Sequence, residues 1–380
     1  MNNRDSKIEQ HLLDILYSLE GKINKTQFRK IVKFYNWQFQ FKSIHIVGTN
    51  GKGSNAKYIN DELIAQSYTV GLFTSPHIYS MYERIKINNK DIDFEIMAKF
   101  ISKLKSDFID VNFGWFDVFF LTALHWFNSQ KIDVAIFEAG IGAKKDIVNY
   151  LDHNYLLITS IAVDHEKILG DSIEKIAIDK SYSIKNHNQV FVSDSIDKKI
   201  VNIFKEKANK ENCIFSITKT NQSTYETINQ SLSKAFLKQV FCIDKFKSHF
   251  ILPSGRSENI KINKIDCWVD VAHNYQGFFE SLKYYQYKEI NFEQIVVSLS
   301  SDKNNKKIFE LLEKKFKMIY VYQNKGRKPL LLTKYSDKFT KILNIDLFLE
   351  KLDKKTLFIG SFYLVSEILN KIKGDNYNNN

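Results

Sequence analysis

The chain has 380 residues and a mass of 44.6 kDa, of which 44% are hydrophobic and 26% charged. This composition excludes a mainly disordered chain, a collagen-like fibre and a small disulfide-stabilised domain. Its three cysteines are widely spaced and form no CxxC motif, which argues against a zinc cluster and favours a reducing, cytoplasmic compartment. The polar N-terminus does not resemble a signal peptide, and the apolar run at 155–163 is far shorter than the roughly 20 residues of a membrane span.

The chain is basic, with 55 Lys and Arg against 43 Asp and Glu and a formal net charge of +12. One interpretation is a general bias towards lysine, and the other is an anionic partner such as a nucleotide or a polyanionic substrate. The basic residues are spread along the chain and form no basic arm, so we expect no nucleic-acid partner.

Short apolar runs alternate with helical patterns through the first half of the sequence. The predicted helices are 8–20, 52–66, 93–106, 116–129 and 171–184, and the predicted strands are 43–47, 69–73, 132–137, 155–161 and 190–192. This alternation predicts an α/β fold with a mostly parallel sheet covered by helices on both faces.

A polar stretch at 205–250 has no clear pattern, and a second alternating series begins near Ile260. Its predicted strands are 266–271, 294–299, 317–322 and 356–359, and its predicted helices are 276–286, 304–315 and 361–373. We therefore expect a first domain at 1–250, a smaller α/β domain at 256–374, and a disordered low-complexity tail at 375–380.

The strongest local motif is the segment Gly-Thr-Asn-Gly-Lys-Gly-Ser at 48–54, which follows a predicted strand and opens a predicted helix. Glycines let backbone N–H groups turn towards one anion, and the helix N-terminus adds a partial positive charge. Lys52 can reach terminal phosphates and Ser54 offers a hydroxyl to a metal ion, so the segment predicts a phosphate-binding loop.

Polar residues also follow three other predicted strands, at Ser75, Glu138, and Asp164 with His165. Since ligands of open parallel sheets bind outside the carboxyl ends of the strands, we expect these residues to share an edge with the loop. Carboxylate and imidazole groups beside a triphosphate suit Mg²⁺ with part of its water shell retained. Taken singly, His165 is equally compatible with an ordinary loop histidine, and Glu138 with a salt-bridged carboxylate.

In the second half, Gly255-Arg256 precedes a predicted strand that ends in Asp270, followed by Val-Ala-His273-Asn274. Arg256 is a candidate phosphate ligand and Asp270 a candidate partner of a ribose hydroxyl. The alternative interpretation is a linker arginine and a strand-end turn.

In this order, the motifs resemble those of the folylpolyglutamate synthase/dihydrofolate synthase family, a branch of the Mur ligase superfamily. The segments that carry the resemblance are IVGTNGKGS (46–54), LFTSPHIYSMYERIKIN (72–88), IDVAIFEAGIGAKKDIVN (132–149), SIAVDHEKILGDSIEKIAIDKSYSIK (160–185), LPSGRSE (252–258), VDVAHNYQG (269–277), SSDKN (300–304) and GSFYLVSE (360–367). The resemblance implies a phosphate-loop domain of the Mur ligase central type with a smaller Rossmann-like domain behind it.

The resemblance also implies an ATP-dependent ligase that phosphorylates a carboxylate, which the amine of L-glutamate then attacks. The implied site residues are Asn50, Gly51, Lys52, Gly53, Ser54, Arg256, Asp270, His273 and Asn274 for ATP; Ser75, Glu138 and His165 for the metal; Phe116, Asp117, Lys145 and Asp146 for the folate; and Lys52, His165 and Lys180 for catalysis. Two Mg²⁺ ions are implied, the second held with the help of a carbamylated Lys180. The implied partners are ATP, L-glutamate and a reduced folate, and we expect a cytoplasmic monomer.

Several positions depart from the family pattern, mainly on the side that binds the pterin. Lys144 stands where the family has an arginine, which loses bidentate geometry, and the pterin-side segment reads Gly-Trp-Phe-Asp at 114–117. Because the ATP and metal motifs are better kept, we favour extension of reduced folates that already carry glutamate. The alternatives are dihydrofolate synthase or a bifunctional enzyme, a different amide ligase, and a phosphate-loop protein that has lost ligase activity.

Overall fold

The computed structural model describes residues 16, 18–186, 188–220, 224–303, 305–326, 328–337 and 339–378. The predicted helix at 8–20 therefore lies mostly outside the described residues. No helix in the described part of the chain is long and apolar enough to cross a membrane.

The first sheet has eight strands within these residues, in the order β4-β3-β2-β5-β1-β6-β7-β8. Its strands are β1 (Lys42–Val47), β2 (Val70–Phe73), β3 (Ile85–Ile87), β4 (Lys90–Asp91), β5 (Val134–Glu138), β6 (Tyr155–Ile158), β7 (Gln189–Ser193) and β8 (Ile214–Thr218). All neighbours pair in parallel except for the hairpin strands β3 and β4 at one edge. This arrangement confirms the predicted parallel sheet.

Helices cover both faces of this sheet, as a buried parallel sheet requires. They are α1 (Lys25–Phe34), α2 (Lys52–Ala65), α3 (Phe94–Asp107), α4 (Trp115–Gln130), α5 (Glu166–Leu169), α6 (Ile173–Ser181), α7 (Lys198–Lys210) and α8 (Tyr225–Phe241). Helix α4 packs nearly all of its apolar side chains into the largest hydrophobic cluster, which explains its almost continuous apolar sequence.

In the described part of the chain, the second sheet has six strands in the order β13-β12-β11-β14-β10-β9. Its elements are β9 (Glu258–Ile262), β10 (Ile265–Asp270), α9 (Tyr275–Tyr287), β11 (Gln294–Val297), α10 (Asn305–Glu313), β12 (Ile319–Tyr322), β13 (Thr340–Ile342), α11 (Ile345–Glu350), β14 (Thr356–Ile359) and α12 (Phe362–Asn378). Only the edge strand β9 runs antiparallel to its neighbour. The second α/β unit is thus confirmed, while a division of the chain between residues 250 and 256 stays a prediction.

Three local expectations differ from the structure. The strand predicted at 155–161 ends at Ile158, because the chain then turns into the loop that carries Asp164. The unpatterned stretch at 205–250 contains β8 and the long helix α8. Helix α12 includes most of the tail expected at 375–380, and residues 379 and 380 lie outside the described residues.

Candidate active site

Four adjacent strands of the first sheet, in the order β2-β5-β1-β6, end beside the candidate site. The phosphate loop follows β1, Ser75 follows β2, Glu138 ends β5, and His165 follows β6. Because these strands are parallel neighbours, their carboxyl ends lie at the same edge of the sheet. The structure therefore brings these four sequence-predicted segments together.

The loop enters helix α2 through Gly51, which caps the helix with a left-handed backbone, φ 86°. A side chain at this position would be strained, and its Cβ would lie 2.5 Å from Oδ1 of Asn229. Asn229, on α8, accepts a hydrogen bond from Nδ2 of Asn55, and the same amide nitrogen donates to the carbonyl of Gly51. Helix α8 thus holds the phosphate loop in place through Asn229. The polar sequence at 205–250 did not predict this role.

Lys52 is half-buried at the start of α2 and donates hydrogen bonds to the carbonyls of Gly48 (3.2 Å) and Thr49 (3.1 Å). Burial lowers its pKa, and the charges of Glu138 and Asp164 act in the opposite direction. An ammonium in such surroundings gains from a further anion, which the phosphates of a nucleotide would supply.

Glu138 and Arg256 converge on Gly53 from different parts of the chain. A Cβ on Gly53 would lie 3.6 Å from Oε2 of Glu138 and 3.9 Å from a guanidinium nitrogen of Arg256. Arg256 lies just before β9, so the region of the second sheet supplies a cation to the phosphate loop of the first. Gly53 leaves open the space between these two charged groups.

The metal candidates include oxygen donors suited to Mg²⁺. Oε2 of Glu138 accepts a hydrogen bond from the backbone N–H of Ser75 at 2.9 Å, and burial raises the pKa of Glu138 against the lowering effect of Lys52. Ser54 is buried, and its Oγ has no hydrogen-bond partner among the described residues. No group of three or more His, Cys, Asp and Glu side chains in this part of the chain could hold a metal alone. The donor set therefore fits an ion that also takes oxygens from serine and from phosphate.

His165 has a left-handed backbone, φ 51°, at the start of the short helix α5. Burial lowers the pKa of this imidazole to about 4, with nearby Asp164 acting in the opposite direction. The ring is therefore neutral at pH 7, the form in which histidine binds metals.

Lys180, on α6, is buried and donates to the carbonyl of Gly48 at 2.9 Å, the same oxygen that Lys52 contacts. Burial lowers its pKa to about 7, and the positive charge of Lys52 adds to this effect. A large fraction of this amine is neutral near pH 7, which carbamylation by carbon dioxide requires. The geometry therefore fits the modification implied by the resemblance.

The candidate ATP residues of the second sheet separate into two groups. Asn274 exchanges hydrogen bonds with Asn50 of the phosphate loop at 3.2 and 3.0 Å. Nδ1 of His273 donates to the carbonyl of Val271, and its Nε2 lies 3.6 Å from Oδ2 of Asp164. Asp270, in contrast, is buried and accepts hydrogen bonds from two serine hydroxyls and a backbone amide of its own region. Its role towards a ribose stays a prediction.

The folate candidates also divide. Phe116 and Asp146 both approach Gly140, where an added Cβ would lie 2.8 Å from Cζ of Phe116 and 3.3 Å from Oδ2 of Asp146. Asp146 accepts hydrogen bonds from three backbone amides, and burial raises its pKa to about 6. Asp117 accepts from the amides of Gly114 and Ile23, while Lys145 is exposed. The carboxylates of Asp117 and Asp146 thus hold loops in place through hydrogen bonds from backbone amides. Contact of these residues with a folate stays a prediction.

One residue beside the site was not among the candidates. Lys303, which follows β11, is nearly buried, and its Nζ lies 2.5 Å from Oδ1 of Asp164. Both residues line a cavity of about 300 Å³ together with His165 and Asn274. The sequence marked Lys303 only as part of the SSDKN motif, because burial of a lysine at a contact distant in sequence leaves no local pattern.

Among known proteins, curated relatives align with parts of this chain, although no family model matches it. The dihydrofolate synthase/folylpolyglutamate synthase of Haemophilus influenzae is 34% identical over 154 residues, which are 40% of this chain and 34% of that protein. The folylpolyglutamate synthase of Lacticaseibacillus casei is 38% identical over 159 residues, 40% of this chain and 37% of that protein. In sequence, the chain thus matches little more than a third of the length of these two relatives.

Longer matches extend the likeness to most of the chain. The dihydrofolate synthase/folylpolyglutamate synthase of Buchnera aphidicola subsp. Schizaphis graminum is 26% identical over 367 residues, 85% of this chain and 86% of that protein. Folylpolyglutamate synthase of Mycobacterium tuberculosis complexed with ADP superposes with a TM-score of 0.85 at 19% identity, over 97% of this chain and 99% of that one. A bifunctional folylpolyglutamate synthase/dihydrofolate synthase with Mn, AMPPNP and L-glutamate bound gives a TM-score of 0.82 at 19% identity, over 95% and 97%. These superpositions confirm the predicted fold class, and the sequence matches show that the chain is similar to folylpolyglutamate synthases and dihydrofolate synthase/folylpolyglutamate synthases.

Proposed function

We propose that this protein is an ATP- and Mg²⁺-dependent ligase that adds L-glutamate to the glutamyl tail of a reduced folate. The observation that carries the proposal is the convergence of Lys52, Glu138 and Arg256 on the open space at Gly53. Such a cluster suits transfer of a phosphoryl group, where the protein mainly positions the groups and neutralises charge. The solved relative with AMPPNP, Mn and L-glutamate supports the same set of ligands.

The first chemical step follows from the electrostatics of the cluster. A carboxylate oxygen of the acceptor attacks the terminal phosphorus of ATP, and the bond to ADP breaks, which leaves an acyl phosphate. Lys52 and Arg256 would offset the charge of the phosphoryl oxygens, and the backbone N–H groups at the N-terminus of α2 would add positive potential there. Glu138, Ser75 and His165, with Ser54 as a further candidate, would hold Mg²⁺, which would supply additional positive charge to the phosphates.

The second step forms the amide. The amine of L-glutamate attacks the acyl carbon, phosphate leaves with the bonding electron pair, and the nitrogen loses a proton. A carbamate on Lys180 would be an anion beside the phosphate loop and would help to hold a second Mg²⁺. His165 stays neutral through both steps because burial keeps its pKa near 4.

The choice of acceptor rests on the pterin side. There the family pattern is altered at 114–117 and at Lys144, and Asp117 and Asp146 are engaged with backbone amides. We therefore propose folates that already carry glutamate as acceptors. A bifunctional enzyme is the second candidate, because several relatives carry both names. The monomeric state, the cytoplasmic location and the two-domain division also stay proposals.

The test is mass spectrometry of products after incubation with ATP, Mg²⁺, L-glutamate and one acceptor at a time. We expect tetrahydrofolate to gain one or more glutamyl residues, with ADP formed only when both acceptor and glutamate are present. Turnover of dihydropteroate alone would reverse the assignment to dihydrofolate synthase. ADP formation independent of glutamate and folate would instead indicate a nucleotide-binding protein without ligase activity.

A further inference from the structure

Asp164 is a buried carboxylate that connects the two sheet regions beside the candidate site. Its Oδ1 accepts from Nζ of Lys303 at 2.5 Å, and its Oδ2 accepts from Nδ2 of Asn274 at 2.9 Å. Both donors belong to loops of the second sheet, after β11 and β10 respectively. A local hydrogen bond runs from the backbone N–H of His165 to Oδ1 at 2.8 Å, and Nε2 of His273, also after β10, lies 3.6 Å from Oδ2.

The ion pair between Asp164 and Lys303 is enclosed. The side chains are 6% and 8% exposed, whereas many other ion pairs of the described chain lie on the surface. Removing one partner of a buried pair leaves an uncompensated charge, which is strongly unfavourable. Separation of the two regions would break this ion pair and the hydrogen bond between Asn274 and Asp164, which connect the regions in the present arrangement.

The same contacts reach both the phosphate loop and the metal candidates. Asn274, which donates to Asp164, also pairs with Asn50 in the loop. His165 is the next residue in the chain and is tied to Asp164 through its backbone N–H. Asp164 therefore links the loop that carries His165, the phosphate loop and the second sheet in one hydrogen-bonded network.

We propose that Asp164 and Lys303 form a charged clasp that holds the cleft closed and thereby positions His165 and Asn274. The two residues line the cavity of about 300 Å³ together with His165 and Asn274. They act as positioning residues, because the carboxylate is already engaged within the protein. The inference rests on the proposed function only where turnover is the measured quantity.

The experiment compares the wild type with D164N, K303M and the double variant D164N/K303M. The control is D244N, which breaks the exposed pair of Asp244 with Lys238 (2.9 Å), whose side chains are 69% and 70% exposed. Small-angle X-ray scattering measures the radius of gyration of each protein without ligand, and glutamyl transfer gives kcat and the KM for ATP. The charge-keeping variant K303R is included to test rescue.

We expect each single variant to increase the radius of gyration and to lower kcat by roughly tenfold, with a smaller change in the KM for ATP. The double variant should be no slower than the slower single variant, because the second substitution removes the charge that the first left unpaired. K303R should recover part of kcat, and D244N should match the wild type.

Fully additive losses in the double variant, or an unchanged radius of gyration in both single variants, would overturn the clasp. If the wild type transfers no glutamate at all, the proposed function fails by itself. The scattering data and the coupling between the two substitutions in urea unfolding then decide the clasp independently.

Discussion

The candidate site has two ends, which we call the nucleotide end, with Lys52, Ser54 and Glu138, and the acceptor end, with Asp117 and Asp146. The two ends differ in how their charged and polar side chains are hydrogen-bonded. At the nucleotide end, within the described residues, Ser54 Oγ has no hydrogen-bond partner and Lys52 donates hydrogen bonds only to carbonyl oxygens. At the acceptor end, Asp117 and Asp146 accept hydrogen bonds from five backbone amides between them. The first region can still take up external charge, whereas the second uses its carboxylates to hold loops.

This difference indicates which substitutions should affect chemistry and which should affect stability. Charges at the nucleotide end are buried without full compensation, and such groups are typical of functional sites. Carboxylates that accept hydrogen bonds from backbone amides stabilise the fold, because a buried amide N–H without a hydrogen-bond partner lowers the free energy of unfolding. Substitutions at the nucleotide end should therefore change turnover, and substitutions at the acceptor end should change the free energy of unfolding.

The largest effect is expected from Lys52→Ala. Loss of the ammonium removes a preorganised cation from the transferring phosphoryl group, so kcat should fall by roughly a thousandfold. The melting temperature should change little, because among the described residues the lysine donates only to backbone carbonyls of its own loop. The control is Lys57→Ala on the same helix, which only breaks an ion pair with Asp61. Normal turnover in Lys52→Ala would refute its role.

Glu138→Gln should have the next largest effect, a fall of roughly a hundredfold in rate at low Mg²⁺, partly restored at high Mg²⁺. The amide oxygen of glutamine can still accept from the N–H of Ser75, so the loop should be retained. The matched control is Glu62→Gln, a buried glutamate that accepts from backbone amides of Lys247 and Ser248 away from the site. The Mg²⁺ dependence of the rate distinguishes them, and an identical dependence in both variants would contradict the metal assignment.

Lys180 should give a pH-dependent effect on stability in buffer free of bicarbonate. Burial lowers its pKa from 10.5 to about 7, so between these values the unfolded chain binds more protons than the folded one. The contribution of Lys180 to the free energy of unfolding therefore increases as the pH rises from about 7 to 10.5. Lys180→Met should stabilise the protein at pH 6 relative to the wild type, and the advantage should shrink by roughly 2 kcal/mol or more towards pH 10. Urea unfolding at several pH values measures this, and a constant difference would contradict the burial of a free amine.

The smallest effect is expected at the acceptor end, from Asp146→Asn. The amide side chain can accept at only one of its two ends, so part of the bonding to the amides of Gly140, Ile141 and Val148 is lost. We expect a loss of about 1–2 kcal/mol in the free energy of unfolding, with the KM for ATP unchanged. A large increase in that KM would show that the two ends are not separable in this way.

The comparison also shows what could be predicted from the sequence. The strands that precede the phosphate loop, Glu138 and His165 are continuous apolar runs that end in polar residues, and this local pattern was sufficient to predict a shared edge. Parallel pairing then follows from the alternation of strands and helices, which depends on neighbouring residues only.

Other features depend on contacts between distant residues. Helix α8 was missed because its buried face includes Asn229 and Ser233, which bond to Asn55 below the phosphate loop instead of forming an apolar stripe. The partnership of Asp164 with Lys303 spans 139 positions and has no local pattern. The strands β3 and β4 were missed because they are very short, with only three and two residues.

The central claim is that the nucleotide end transfers a phosphoryl group to a carboxylate before the amide forms. The most direct test uses a folate whose terminal carboxylates carry heavy oxygen, followed by mass spectrometry of the phosphate released during turnover. We predict that one labelled oxygen appears in the inorganic phosphate released by the first glutamyl addition to each folate, whereas later additions, which activate the carboxylate of unlabelled glutamate, release phosphate without the label. Phosphate free of the label at the first addition, with glutamate still added to the folate, would contradict the claim.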